Sequence, residues 1–153
     1  MIQRIHSLFL FIVFDLQVLL LLLPVSEYAV EGKPIVNFFV LGFQPEGIVI
    51  QNLFLTTLVL ILSYILVVIP LITIFLYKKR IMQMRLCIAN FILLIGFQVL
   101  LFWFCLSTGN ELKAVTGYKI SLIFPLISAI LSYLAFLSIR KDEKLIRSID
   151  RIR

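Results

Sequence analysis

The stretch "YKKRIMQMRLCIANFILLIGFQVLLFWFCL" (77–106) sets four cations, Lys78, Lys79, Arg80 and Arg85, against a long apolar run, with no acid among them. The run at 86–107 is long enough to cross ~30 Å of hydrocarbon, which takes roughly 20 residues in a helix. In lipid it must be helical, because no water satisfies an open backbone there. Three more runs repeat the pattern, near 7–25, 52–77 and 118–139. The sequence therefore predicts an all-α membrane protein with four transmembrane helices. It forms one domain, 1–153, in which 140–153 is a charged helical tail.

Composition points the same way. The chain of 153 residues is 62% hydrophobic, with a mean hydropathy of +1.13. Soluble domains average about 45–50% apolar residues, and a core of this size cannot hide the excess. The formal charge of +6 would suggest nucleic acid if it were spread over a soluble surface. Instead the cations gather beside apolar runs and no reader motif accompanies them, so no nucleic-acid partner is expected. With one histidine and two distant cysteines, no metal or other cofactor is expected. Cys87 and Cys105 would stand about 27 Å apart on one helix, too far for a disulfide.

The first run is expected to be an uncleaved helix. Its rival is a signal peptide with Arg4 in the basic region, but "LLLPVSEYA" is a poor small-x-small cleavage site. Orientation follows from the asymmetry of Lys and Arg. The 78–85 loop and the tail (Arg140, Lys141, Lys144, Arg147, Arg151, Arg153) are rich in cations. The 26–51 and 108–119 connections are poorer. Four spans with both termini in the cytoplasm satisfy every segment. In the 26–51 loop, "PIVNFFVLGFQPEGIVIQN" is β-branched and broken by "GFQPEG". A small outer β-hairpin turning near Pro45 and Gly47 is expected, with a re-entrant segment as the rival.

Lipid tails are as apolar as leucine, so small and polar residues mark helix contacts in membranes. In the fourth run Ser121, Pro125, Ser128, Ser132 and Ala135 recur at steps of four and three. Asn52, Thr56, Ser63 and Pro70 form a looser stripe in the second. Both predict a packing face, towards the bundle interior or a partner subunit. Pro70 and Pro125 each remove a helix hydrogen bond, which allows a kink. Asp15, in "FIVFDLQVLL", lies near mid-span, where an acid costs about 2.5–3.5 kcal/mol to insert. It is neutral and hydrogen-bonded, paired with a cation of another subunit, or part of an ion path. Gln98 is its candidate partner at similar depth. Gln17 turns away from Asp15 and is a candidate contact to a second protein. His6 reads as an ordinary residue of the cytoplasmic edge. Trp103, Tyr118, Tyr28 and Tyr77 fit an interfacial aromatic belt. No nucleophile–base pair, phosphate loop or acid pair suggests catalysis.

The tail "IRKDEKLIRSIDRIR" (139–153) reads as an amphipathic cytoplasmic helix continuing from the fourth span, with Leu145, Ile146, Ile149 and Ile152 on one stripe. Its acids Asp142, Glu143 and Asp150 favour docking by specific pairs over simple adhesion to lipid. The rival is a stop-transfer anchor with a solvated end. Three segments, "MIQRIHSLFL", "YKKRIMQMRLCIAN" and "IRKDEKLIRSIDRIR", resemble the small four-helix membrane proteins of Bacteroidetes called domain of unknown function 4293. The resemblance spans the chain. It implies four spans in a bacterial inner membrane and carries over no catalytic residue. The family's openings are mostly aliphatic where Asp15 stands.

The functional expectation is a non-enzymatic accessory or scaffold protein that meets lipid and either a protein partner or a second copy of itself. Its surface would be Lys78, Lys79, Arg80, Arg85, Arg140, Lys141, Asp142, Glu143, Arg147, Asp150 and Arg151. The alternative is a lipid or small-molecule binder or transporter that uses the interior near Asp15.

Overall fold

The computed structural model describes residues 5–29, 35–44, 53–77 and 79–150. Its helices are α1 (Ile5–Leu22), α2 (Leu53–Phe75), α3 (Arg80–Leu112) and α4 (Phe124–Asp150). All four spans are long and apolar enough to cross a membrane, the fourth beginning at Ile120. α1 and α3 each pack on both α2 and α4, which closes a four-helix ring. The exposed sides carry large apolar residues such as Phe54, Ile92, Val99 and Ile130. So much exposed grease is untenable in water and ordinary against lipid tails. The chain is a multi-pass membrane protein.

Each helix buries one stripe at alternating steps of three and four. On α1 it is His6, Leu10, Val13, Gln17 and Leu20. On α2 it is Val59, Ser63, Leu66, Pro70 and Thr73. α3 buries Gln83, Cys87, Asn90, Leu94, Phe97 and Leu101 before continuing to Thr108. On α4, Ser128, Ser132, Ala135 and Ile139 are buried. An average step of 3.5 residues is the period at which helices keep one face turned to each other in a left-handed bundle.

The small outer hairpin expected beside the four helices is part of a larger sheet. A small antiparallel sheet covers one end of the bundle, built from β1 (Ser26–Ala29), β2 (Val36–Phe39), β3 (Gly42–Gln44) and β4 (Val115–Tyr118) in the order β3-β2-β1-β4. The expected hairpin exists as β2–β3, but its turn lies at 40–41 rather than in "GFQPEG". The "GFQ" of that stretch is β3 itself. Gly42 has φ +150°, a value that L side chains rarely adopt. Pro45 and Gly47, the expected turn residues, lie outside the described residues. β1 and β4 emerge from the ends of α1 and α3 and pair over four residues, so the sheet ties the two diagonal helices together. Tyr28, expected in the aromatic belt, is instead fully buried beneath it and donates its hydroxyl to the carbonyl of Cys105 at 3.2 Å. Burial pushes the Tyr28 phenol well above its usual range.

Two connections also differ from expectation. The basic 78–85 segment is not a loop, because α3 begins at Arg80 and carries Arg80 and Arg85 on its first turns. At its other end α3 closes on Lys113 in the left-handed conformation (φ 48°). The Lys113 N–H donates to the Asn110 carbonyl and that of Ala114 to Gly109, a standard way to satisfy the last carbonyls. Pro125 does not kink the fourth helix. It stands in the first turn of α4, after the 3₁₀ turn Ile120–Ile123, where its missing N–H costs little. Pro70 lies inside α2.

Candidate functional site

Among the described residues, two inter-helix hydrogen bonds fall on the serine stripe of α4. Gln17 on α1 donates its amide to Ser128 Oγ at 3.0 Å. Asn90 on α3 donates to Ser132 Oγ at 2.9 Å. Beside them Ser121 Oγ donates to the Pro24 carbonyl at the end of α1. Ser121, Ser128, Ser132 and Ala135 are all buried within the chain, where the small side chains let α1 and α3 approach. Gln17, expected to meet a second protein, is thus occupied inside its own bundle.

Asp15 and Gln98 are not brought together. Both are half-buried, and no hydrogen bond or ion pair joins them among the described residues. Gln98 Oε1 is buried without a hydrogen-bond partner. Cys87 and Cys105 are both free and buried.

The site is at the end of the bundle opposite the sheet, where the stripes run out. There the core positions are polar: His6 on α1, Gln83 on α3 and Asp142 on α4. With Arg80, Ile74 and Ile139 they line a pocket of about 390 Å³. Ligand pockets span ~300–1,000 Å³. Gln83 is only 1% exposed, and its Nε2 has no hydrogen-bond partner. The buried His6 Nδ1 and Arg80 Nη1 are equally without one. Asp142 Oδ2 stands 3.8 Å from His6 Nδ1, beyond hydrogen-bond reach. Buried donors without acceptors are rare in native proteins, since each forfeits its hydration.

Around this pocket the expected interaction surface divides. Lys79, Arg85, Arg140 and Lys141 are exposed, and Glu143 is half-buried. Arg80 and Asp142 line the pocket instead of the outer surface. Lys78, Arg151 and the side chains of Arg147 and Asp150 lie outside the described residues. α4 runs unbroken to Asp150, so the tail is helical to that point. His6 and Gln83 were missed as site residues, although the three–four step of α3 traced back from Cys87 lands on Gln83.

Comparison with protein families finds one described as a domain of unknown function (DUF4293), matching residues 2–152. The chain belongs to that family. A comparison with curated proteins finds no match. Among the described residues of this DUF4293 chain, no three His, Cys, Asp or Glu side chains group as metal ligands.

Proposed function

We propose that this DUF4293 protein is a non-enzymatic accessory or scaffold protein of the bacterial inner membrane. In this reading the basic end lies in the cytoplasm and is the face that meets a protein partner or a second copy. The observation that carries it is the convergence of two distant segments. Exposed Lys79, just before α3, and Arg85 on α3 share one end with exposed Arg140 and Lys141 on α4, beside the pocket that both helices line. Cations on one end match the retention of Lys and Arg on the cytoplasmic side. Aromatic residues fit both boundaries, with Trp103 and Tyr118 exposed towards the sheet end and Tyr77 at the basic end.

The interior gives less to the alternative of ligand binding near Asp15. Asp15 lines none of the four pockets described, and the amide nitrogen of Gln17 beside it on α1 donates to Ser128 of α4. The test is purification of tagged protein in mild detergent, with mass spectrometry of what accompanies it. Wild type is compared with an Arg85→Gln/Arg140→Gln/Lys141→Gln variant. A partner enriched over an unrelated four-span protein and lost at least tenfold in the variant is expected, as for several rim charges acting together. Equal recovery with both proteins contradicts the reading.

A further inference from the structure

The pocket at the basic end has its own chemistry, and it stands or falls independently of the scaffold reading. Three buried nitrogens from two helices line one space, the donors Arg80 Nη1 and Gln83 Nε2 and the imidazole Nδ1 of His6, none with a hydrogen-bond partner. They are not chance surface groups. His6 and Gln83 occupy the last core positions of α1 and α3 in the register that buries Leu10 and Cys87 one step further in. Gln17 and Asn90, the polar groups further along these stripes, donate to serines of α4, whereas His6 and Gln83 stand at the end of the span, at headgroup depth.

We propose that this pocket binds a phosphate group, carried by a membrane phospholipid. Phosphate offers several acceptor oxygens to a guanidinium and an amide at once, and charge-assisted bonds of this kind are the strong ones. Ile74 and Ile139 line the same pocket and give the glycerol and the first methylenes an apolar wall. Asp142 also lines it, so the site is not uniformly positive. A bare anion meets that carboxylate unfavourably, whereas a headgroup with an ammonium beside its phosphate satisfies it. The structure thereby favours a phosphoethanolamine headgroup over phosphoglycerol.

Native mass spectrometry of the full chain in an uncharged, phosphate-free detergent tests the proposal. The added probes are phosphatidylethanolamine, phosphatidylglycerol, diacylglycerol and inorganic phosphate. Retention of phosphatidylethanolamine above phosphatidylglycerol, with diacylglycerol not retained, is the expected result. Gln83→Leu leaves the charge unchanged and should lower the bound fraction about tenfold, as loss of one bond to a charged group does. Arg80→Gln should lower it at least as much. Lys113→Gln, at the sheet end, should leave it unaltered. Gln83→Leu removes an unpartnered polar group, so it is expected to fold even if Arg80→Gln does not. Retention of diacylglycerol at the same level overturns the phosphate site, as does unchanged retention in Gln83→Leu. Preference for phosphatidylglycerol overturns the role given to Asp142. Binding of inorganic phosphate with no lipid retained overturns the lipid carrier and keeps the phosphate chemistry.

Discussion

Asp15 is the costliest residue on paper, yet it is Gln17, two residues on, that bonds across the bundle. Asp15 sits half-buried on the flank of α1, two residues from a buried glutamine that reaches across to Ser128. Two residues turn a helix by about 200°, so the two side chains serve opposite faces. Inter-helix hydrogen bonds in membranes contribute about 0.6 kcal/mol on average and up to ~1.7. Gln17→Leu should therefore destabilise the protein by roughly 1 kcal/mol in a reversible detergent unfolding titration, because it also strands Ser128. Asp15→Asn should change stability by less than about 0.5 kcal/mol, the usual range for substitutions away from packed features. A larger effect at Asp15 than at Gln17 would reverse this ranking. The sequence alone could not make it: hydropathy marks both residues as anomalies, but only the rotation of α1 against α4 says which finds a partner.

At the scale of elements, sequence reading anticipated the β2–β3 hairpin but missed β1, β4 and their pairing. β1 is "SEYA" and β4 is "VTGY", four residues each, too short for an alternation to register. Their partners lie far apart in the chain, Ser26 facing Tyr118 and Ala29 facing Val115, and no local pattern announces such a pairing. The serine stripe of α4 was legible because small residues at three–four steps signal packing in any context. The basic "loop" was misread because cations mask helical periodicity, although Gln83, Cys87 and Asn90 continue one face into it. The sheet is fixed to the bundle by Tyr28 and by close approach. At Gly109 a side chain would collide with Thr116 of β4. The Glu27–Lys119 ion pair at the sheet is partly exposed, and pairs of this kind contribute about 0–1 kcal/mol. Tyr28→Phe should cost about 1 kcal/mol by loss of its buried hydrogen bond. The raised phenol pKa gives this a pH signature. The folded state holds Tyr28 neutral, so its contribution is complete below the ordinary tyrosine value near 10 and is lost as pH rises beyond it. Alkaline unfolding followed by circular dichroism should be shallower in Tyr28→Phe than in wild type, and an identical slope would deny the phenol this role.

For the whole molecule, the two ends are chemically opposite. One is closed by a small sheet over a buried tyrosine, and the other gathers exposed cations around a polar pocket. The scaffold reading rests on the second end facing the cytoplasm, where a partner is within reach. Single cysteines at Lys141 and Lys113, in a background with Cys87 and Cys105 replaced by alanine, test this with a membrane-impermeant thiol reagent on intact spheroplasts. The account predicts that Lys113→Cys is labelled at once and Lys141→Cys only after the membrane is permeabilised. Immediate labelling of Lys141→Cys with protection of Lys113→Cys would contradict it.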